Sequence, residues 1–123
     1  FDESVQHAKT RMTFGELLGS HQSIQHMLAD MAMDLQAAKI FLYEAIWRAS
    51  RGEDSRMRAS MVKVLCTEAA CRIADTAVQI HGGSGYCRGM VVERVYRDVR
   101  VLRIYEGASE IHRNMIARQL LAD

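Results

Sequence analysis

A chain of 123 residues amounts to one domain, and it can bury about two-thirds of its unfolded surface, enough for one hydrophobic core. Its 49% hydrophobic and 25% charged residues match an ordinary globular protein, and a net charge of +1 gives no electrostatic ground for binding nucleic acid or an anionic membrane. No apolar run approaches the ~18 residues of a membrane span, and nothing resembles a signal peptide. Cys66, Cys71 and Cys87 lack the even count and the spacing of a disulfide framework, and read as thiols of a reducing compartment. A start at Phe1 points to a piece or a processed product, and the absence of proline predicts long unbroken helices.

In chain order, Phe1, Val5 and Ala8 share one face of a helix over residues 1–10, and Arg11 to Ser20, with Gly15 and Gly19, reads as a connection. From about Ser20 to Ala49, Ile24, Met27, Leu28, Met31, Leu35, Ala38 and Leu42 recur at helical spacing and predict one buried stripe. Arg51 to Ser55 supplies a turn with candidate caps. A second long helix runs to about Ile80, with Met61, Leu65, Ala69, Ile73, Ala77 and Ile80 inward. His81 to Gly89 carries four glycines and ends it. A short helix over about Met90–Val99 leads through a Val99–Tyr105 connector to a break at Tyr105-Glu106-Gly107. A last helix over about Ala108–Leu121 is expected to bury Ile111, Met115, Ile116 and Leu120. No strand-period stretch exceeds that connector, so the expected architecture is all-α, an antiparallel four-helix-bundle-like domain.

Helical bundles often house metals, but a carboxylate-bridged di-iron site needs inward Glu-x-x-His pairs. None occurs; Glu110 and His112 are two apart, and Glu3 with His7 reads as a solvated surface pair, so no metal is expected. Gly82-Gly83-Ser84-Gly85 follows a helix with no strand before it, and glycine there is first of all a helix cap. Arg11 beside Phe14-Gly15 suits either a phosphate or a plain surface. Glu106, taken alone, suits a solvated loop or the positive end of the helix that follows.

Together and in order, however, Arg11-Met-Thr-Phe-Gly, His21-Gln22, Gln79-Ile-His-Gly-Gly-Ser-Gly-Tyr86, Glu93-Arg-Val-Tyr-Arg-Asp98 and Ile104-Tyr-Glu-Gly-Ala-Ser-Glu-Ile111 resemble the acyl-CoA dehydrogenase family. The likeness runs over nearly the whole chain and matches the carboxyl-terminal helical domain, so residues 1–123 are expected to be that domain without the amino-terminal helical and central β domains. The resemblance implies FAD as cofactor, an acyl-CoA thioester as substrate, and α,β-dehydrogenation. Glu106 matches the catalytic base, and its own backbone N–H would face the thioester oxygen. Arg11, Thr13, His21 and Gln22 match one strip of FAD contacts, with Arg11 near the pyrophosphate. Gln79, Ile80, His81, Gly82 and Gly83 match a second strip. Ala108, Ser109 and Glu110 match further cofactor positions, and Tyr105 and Gly107 match substrate positions.

Three departures stand out. Ala108 replaces a common threonine, Glu110 a glutamine of some members, and His81 an apolar residue. Arg97 and Asp98 fit the family pattern but read as a structural ion pair. The resemblance further implies a homodimer or homotetramer sharing each FAD between subunits, with an electron-transferring flavoprotein as electron acceptor. It implies a cytoplasmic location in a bacterium and the mitochondrial matrix in a eukaryote. The rival readings are an acyl-CoA oxidase, a non-dehydrogenating flavoprotein relative, and a helical oligomerisation module without activity. The isolated 123 residues are expected to be inactive in any case, because most of the flavin and substrate pocket would come from other domains.

Overall fold

The computed structural model describes residues 1–122. Helix α1 spans Asp2–Thr10, with Asp2 and Glu3 in its first turn where they complement the helix dipole. A two-residue hairpin follows, strand β1 at Met12–Thr13 antiparallel to β2 at Glu16–Leu17, with Met12 opposite Leu17 and Thr13 opposite Glu16. The sequence reading made this segment a plain connection; strands of two residues are too short to show a period. A 3-10 turn at Leu18–Ser20 then leads into helix α2, Gln22–Ser50.

With no proline to interrupt them, α2 and helix α3, Arg56–His81, run for about seven to eight turns each and pack against one another. The turn between them is fastened by ion pairs. Glu44 and Glu53 both bind Arg48, and Glu44 also reaches across to Arg58 of α3 at 2.8 Å. Asp54 accepts from the Arg56 side chain and backbone N–H, which hold its carboxyl down to about 2. Further along, Asp34 of α2 takes a two-pronged pair from Arg72 of α3 at 2.8 and 2.9 Å.

Past α3 come a single turn α4 at Gly83–Tyr86, helix α5 at Val91–Val99, a 3-10 extension at Arg100–Arg103, and helix α6 at Ser109–Leu120. The Val99–Tyr105 connector is therefore helical from Val99 to Arg103. The core gathers at one end of the bundle, where Met31, Ala77, Ile80 and Val92 are buried and Phe1, Leu18, Ile24, Met27, Leu28 and Ile73 pack around them. Small residues allow the close approach: Ala69, Ala74 and Ala77 are all buried on α3.

Several expected core positions lie outside. On α2 the inward stripe passes through half-buried Phe41 and buried Ala45, leaving Leu42 37% exposed, and Leu65 of α3 is also 37% exposed. On α6 the inward face is Ser109, His112 and Ile116, so Ile111, Met115 and Leu120 point outward at 54%, 46% and 66% exposure. That stripe begins with two polar residues, and a search for apolar spacing selects the wrong face.

Candidate functional site

After α4 the chain walks back along α3. Val92 packs by Ala77 and Ile80, the Val99 carbonyl accepts from the Cys71 thiol, Arg103 pairs with Glu68 at 3.0 Å, and the Gly107 carbonyl accepts from Lys63 Nζ at 2.6 Å. This return path delivers Glu106 beside the first half of α3, away from the hairpin. Glu106 is exposed and sits at φ +53, a left-handed backbone that a side-chain-bearing residue adopts only under constraint. Gly107 follows at φ +87. Among the described residues no backbone carbonyl takes up the Glu106 N–H. The loop thus presents a carboxylate and a backbone donor together. Tyr105 beside it is half exposed.

Ala108 caps α6 in extended conformation, and the side chain of Ser109 is 2% exposed beside Glu68. Burial pushes the Glu68 carboxyl up, but the Ser109 hydroxyl, Arg103 and Arg113 together bring it below the usual glutamate value. Glu110 is exposed in the first turn of α6, where the helix dipole favours an acid.

At the other end of the bundle, the hairpin turns through Phe14 at φ +52 and Gly15 at φ +86, the two positive values of a type I′ turn. Such turns favour Asn, Asp and Gly at the first position; here it holds a phenylalanine that is fully exposed. Arg11, also exposed, closes the hairpin by accepting the Leu18 N–H at 2.7 Å. Inside the hairpin, Thr13 Oγ1 lies 3.0 Å from His21 Nε2, and His21 Nδ1 lies 3.3 Å from Glu16. Exposed Gln22 opens α2. Nearby, α3 ends at Gln79, Ile80 and His81. Gln79 is exposed, Ile80 belongs to the core, and His81 is buried, donating from Nδ1 to the Ala77 carbonyl at 2.7 Å while its ring stacks on His7 at 4.2 Å. Burial, then the neighbouring His81 and Arg11, push the His7 imidazole below its usual value. Gly82 and Gly83 are exposed at the turn.

The structure therefore brings the predicted residues together in two groups. Arg11, Thr13, His21 and Gln22 lie at the same end as Gln79–Gly83. Residues 105–110 lie elsewhere: Lys63, which holds Gly107, precedes Gln79 on α3 by sixteen residues, about 24 Å of helix. A concavity of about 820 Å³ between α3 and α5 is lined by Glu68, Arg72, Arg97 and Arg100 among others and does not include Glu106. Among the described residues no group of three or more His, Cys, Asp or Glu is placed to hold a metal ion, and no helix is long and apolar enough to cross a membrane.

Four residues near these groups escaped the sequence reading as site residues. Phe14 carried a signal, an aromatic before glycine at a tight turn. Lys63 stands out only as a lone cation in the apolar run Met61–Leu65. Glu68 and His112 gave none, since a charged or aromatic polar residue on a helix usually faces solvent.

Nearly the whole chain has a match. Residues 1–121 fit the family model described as acyl-CoA dehydrogenase, C-terminal domain. The chain belongs to the acyl-CoA dehydrogenase family. A 3-(aryl)acrylate reductase of Clostridium sporogenes (strain ATCC 15579) is 45% identical over 120 residues, 98% of this chain and 32% of the relative. Butyryl-CoA dehydrogenase from Megasphaera elsdenii superposes with a TM-score of 0.96 at 35% identity, over 98% of this chain and 32% of that one. The FAD complex of PigA superposes with a TM-score of 0.92 at 29% identity, over 97% of this chain and 31% of that one. The chain thus spans about a third of the length of these relatives.

Proposed function

We propose that the protein carrying this chain is a flavin-dependent oxidoreductase of acyl-CoA thioesters, with Glu106 as the base that removes the proton α to the carbonyl. The observation that carries the reading is the Glu106 loop itself, an exposed carboxylate at φ +53 beside its own free backbone N–H. The α proton of a thioester is weakly acidic, so its removal needs a base within reach and a donor aimed at the oxygen where charge develops. One residue supplies both. In the reverse direction the same carboxyl returns the proton, which accommodates reductases as well as dehydrogenases among the relatives.

The residues at the hairpin end suit a dinucleotide: Arg11 offers a guanidinium for phosphate oxygens, Phe14 an open aromatic face, and Gly82–Gly83 a backbone that a ligand can approach closely. FAD, when bound, would supply the acceptor for the hydride that leaves the β carbon. Thr13, held by His21, and Gln22 complete that strip, with Gln79 beside it. Because the strip and the Glu106 loop stand about 24 Å apart along α3, we infer that they serve different parts of the cofactor, or cofactors of different subunits in a homodimer or homotetramer. An electron-transferring flavoprotein is the electron acceptor we propose.

The deciding experiment is Glu106→Gln in the full-length protein, followed by stopped-flow flavin reduction with a good acyl-CoA. Glutamine keeps the size and the backbone donor but cannot take the proton. Reduction should slow by roughly 10²–10⁴-fold, with flavin and thioester still bound. A rate close to that of the parent would mean the base lies elsewhere.

A further inference from the structure

Two side chains outside the residues assigned above converge on the backbone on either side of Gly107. Lys63 Nζ, from the first half of α3, donates to the Gly107 carbonyl at 2.6 Å. His112, one turn into α6, sets Nε2 3.0 Å from the Glu106 carbonyl. A carbonyl only accepts, so Nε2 carries the proton and donates. The imidazole also abuts the loop: a β-carbon built on Gly107 would stand 2.9 Å from Nε2. Its other nitrogen, Nδ1, is buried without a hydrogen-bond partner among the described residues. Among the described residues the contact to Glu106 is the ring's one hydrogen bond.

We propose that Lys63 and His112 are positioning residues, a two-sided clamp that locks Glu106 in its left-handed backbone and so aims its carboxylate. The proposal rests on the reading of Glu106 as the base. The geometry explains how the clamp works. The direction of the Glu106 carbonyl sets ψ of Glu106, and that of the Gly107 carbonyl sets ψ of Gly107. Fixing both fixes the plane from which the Glu106 side chain departs. A side-chain-bearing residue such as Glu106 persists at positive φ where its surroundings constrain it, and here the constraints come from separate helices, α3 and α6. Without them the loop can relax toward ordinary backbone, and the carboxylate swings away from a proton it must meet within hydrogen-bond distance.

The test uses the full-length flavin-loaded protein with Lys63→Met, His112→Leu and His112→Gln. Methionine keeps the stem of Lys63, leucine removes the donor of His112, and glutamine keeps one. Flavin content, KM for the acyl-CoA, the rate of flavin reduction per bound flavin and amide hydrogen exchange over residues 104–109 are read for each. Lys63→Met and His112→Leu should lose roughly 10–100-fold in rate per flavin, the scale of a small misplacement of a catalytic group. KM should hold, exchange in the loop should quicken, and His112→Gln should regain most of the loss. Adding Lys63→Met to Glu106→Gln should slow the reaction no further. If Glu106→Gln abolishes reduction while Lys63→Met and His112→Leu run at the parental rate, the clamp is overturned and the base stands. If Glu106→Gln itself reacts normally, the base reading fails whatever the clamp variants do. Should Lys63→Met not take up flavin, the comparison of His112→Leu with His112→Gln decides: equal rates overturn the proposal, rescue by glutamine supports it.

Discussion

Gly107 is confined twice, by a φ of +87 that strains any side-chain-bearing residue and by the His112 ring 2.9 Å from where a β-carbon would stand. Gly107→Ala should therefore destabilise the fold by about 1–3 kcal/mol, the usual cost of overpacking, and more if the backbone strain adds in full. Urea unfolding at neutral pH measures it; a variant as stable as the parent would mean that the ring moves aside freely. Arg11 makes the opposite case, since it is exposed and α1 does not depend on its side chain. Arg11→Ala should leave the fold intact and cost full-length protein about 1.5–3 kcal/mol of flavin affinity, the worth of one charge-assisted hydrogen bond. Flavin content and rate per bound flavin, measured separately, should show retention falling and the chemical step holding. Glu68 governs a pH dependence. Its carboxyl lies below the usual value in the folded state, so ionised Glu68 stabilises the fold above the unfolded value of about 4.5, and that contribution fades as the pH drops through the lowered folded value. Unfolding curves of the parent and Glu68→Gln should differ at pH 7 and converge in acid; a constant gap would show that the charge is not what Glu68 contributes.

At the scale of elements, α3 is the spine on which the later half of the chain is laid, and its C-terminal turn is the tightest joint. A β-carbon on Gly85 would stand 2.7 Å from His81 Cβ and 2.8 Å from the Val78 carbonyl oxygen, neither of which can yield without moving α3. Gly85→Ala should lower the midpoint of thermal unfolding by several degrees, as an overpacking loss of about 1–3 kcal/mol does in a domain of this size. The four main helices were legible in the sequence to within a few residues, because proline-free runs with 3.6-residue spacing leave little else for the chain to form. The hairpin at Met12–Leu17 was not legible, since two-residue strands carry no period and Phe14 is not a residue that announces a type I′ turn. The face of α6 was misread for a different reason. Its inward positions, Ser109 and His112, are polar: Ser109 lies beside Glu68, and His112 donates to the Glu106 carbonyl. The candidate residues could be picked by motif, but Lys63 and His112, which we propose hold the Glu106 loop in shape, lie 44 and 6 residues away from their partners and become visible only once α3 and α6 are side by side.

For the molecule as a whole, the most exposed apolar surface on α2 is ordered. Met33, Ile40, Tyr43 and Trp47 are each more than half exposed and fall on one side of the helix, away from α3. Such a stripe suits burial against another protein surface, and a second subunit is the occupant we expect. Ile40→Glu combined with Tyr43→Glu in the full-length protein should weaken self-association by roughly 30-fold or more, equivalent to a loss of ~2 kcal/mol at an interface hot spot. Analytical ultracentrifugation over a dilution series would register the change; an unaltered sedimentation profile would place the interface on another face. The spacing along α3 has a consequence of its own. The hairpin end and the Glu106 loop flank the same helix about 24 Å apart along it, so substitutions at the two should add in their effects on folding stability rather than interfere. Selection, natural or in the laboratory, can then revise one end of this domain without renegotiating the other, and libraries built separately at the two ends can be recombined with their individual gains intact.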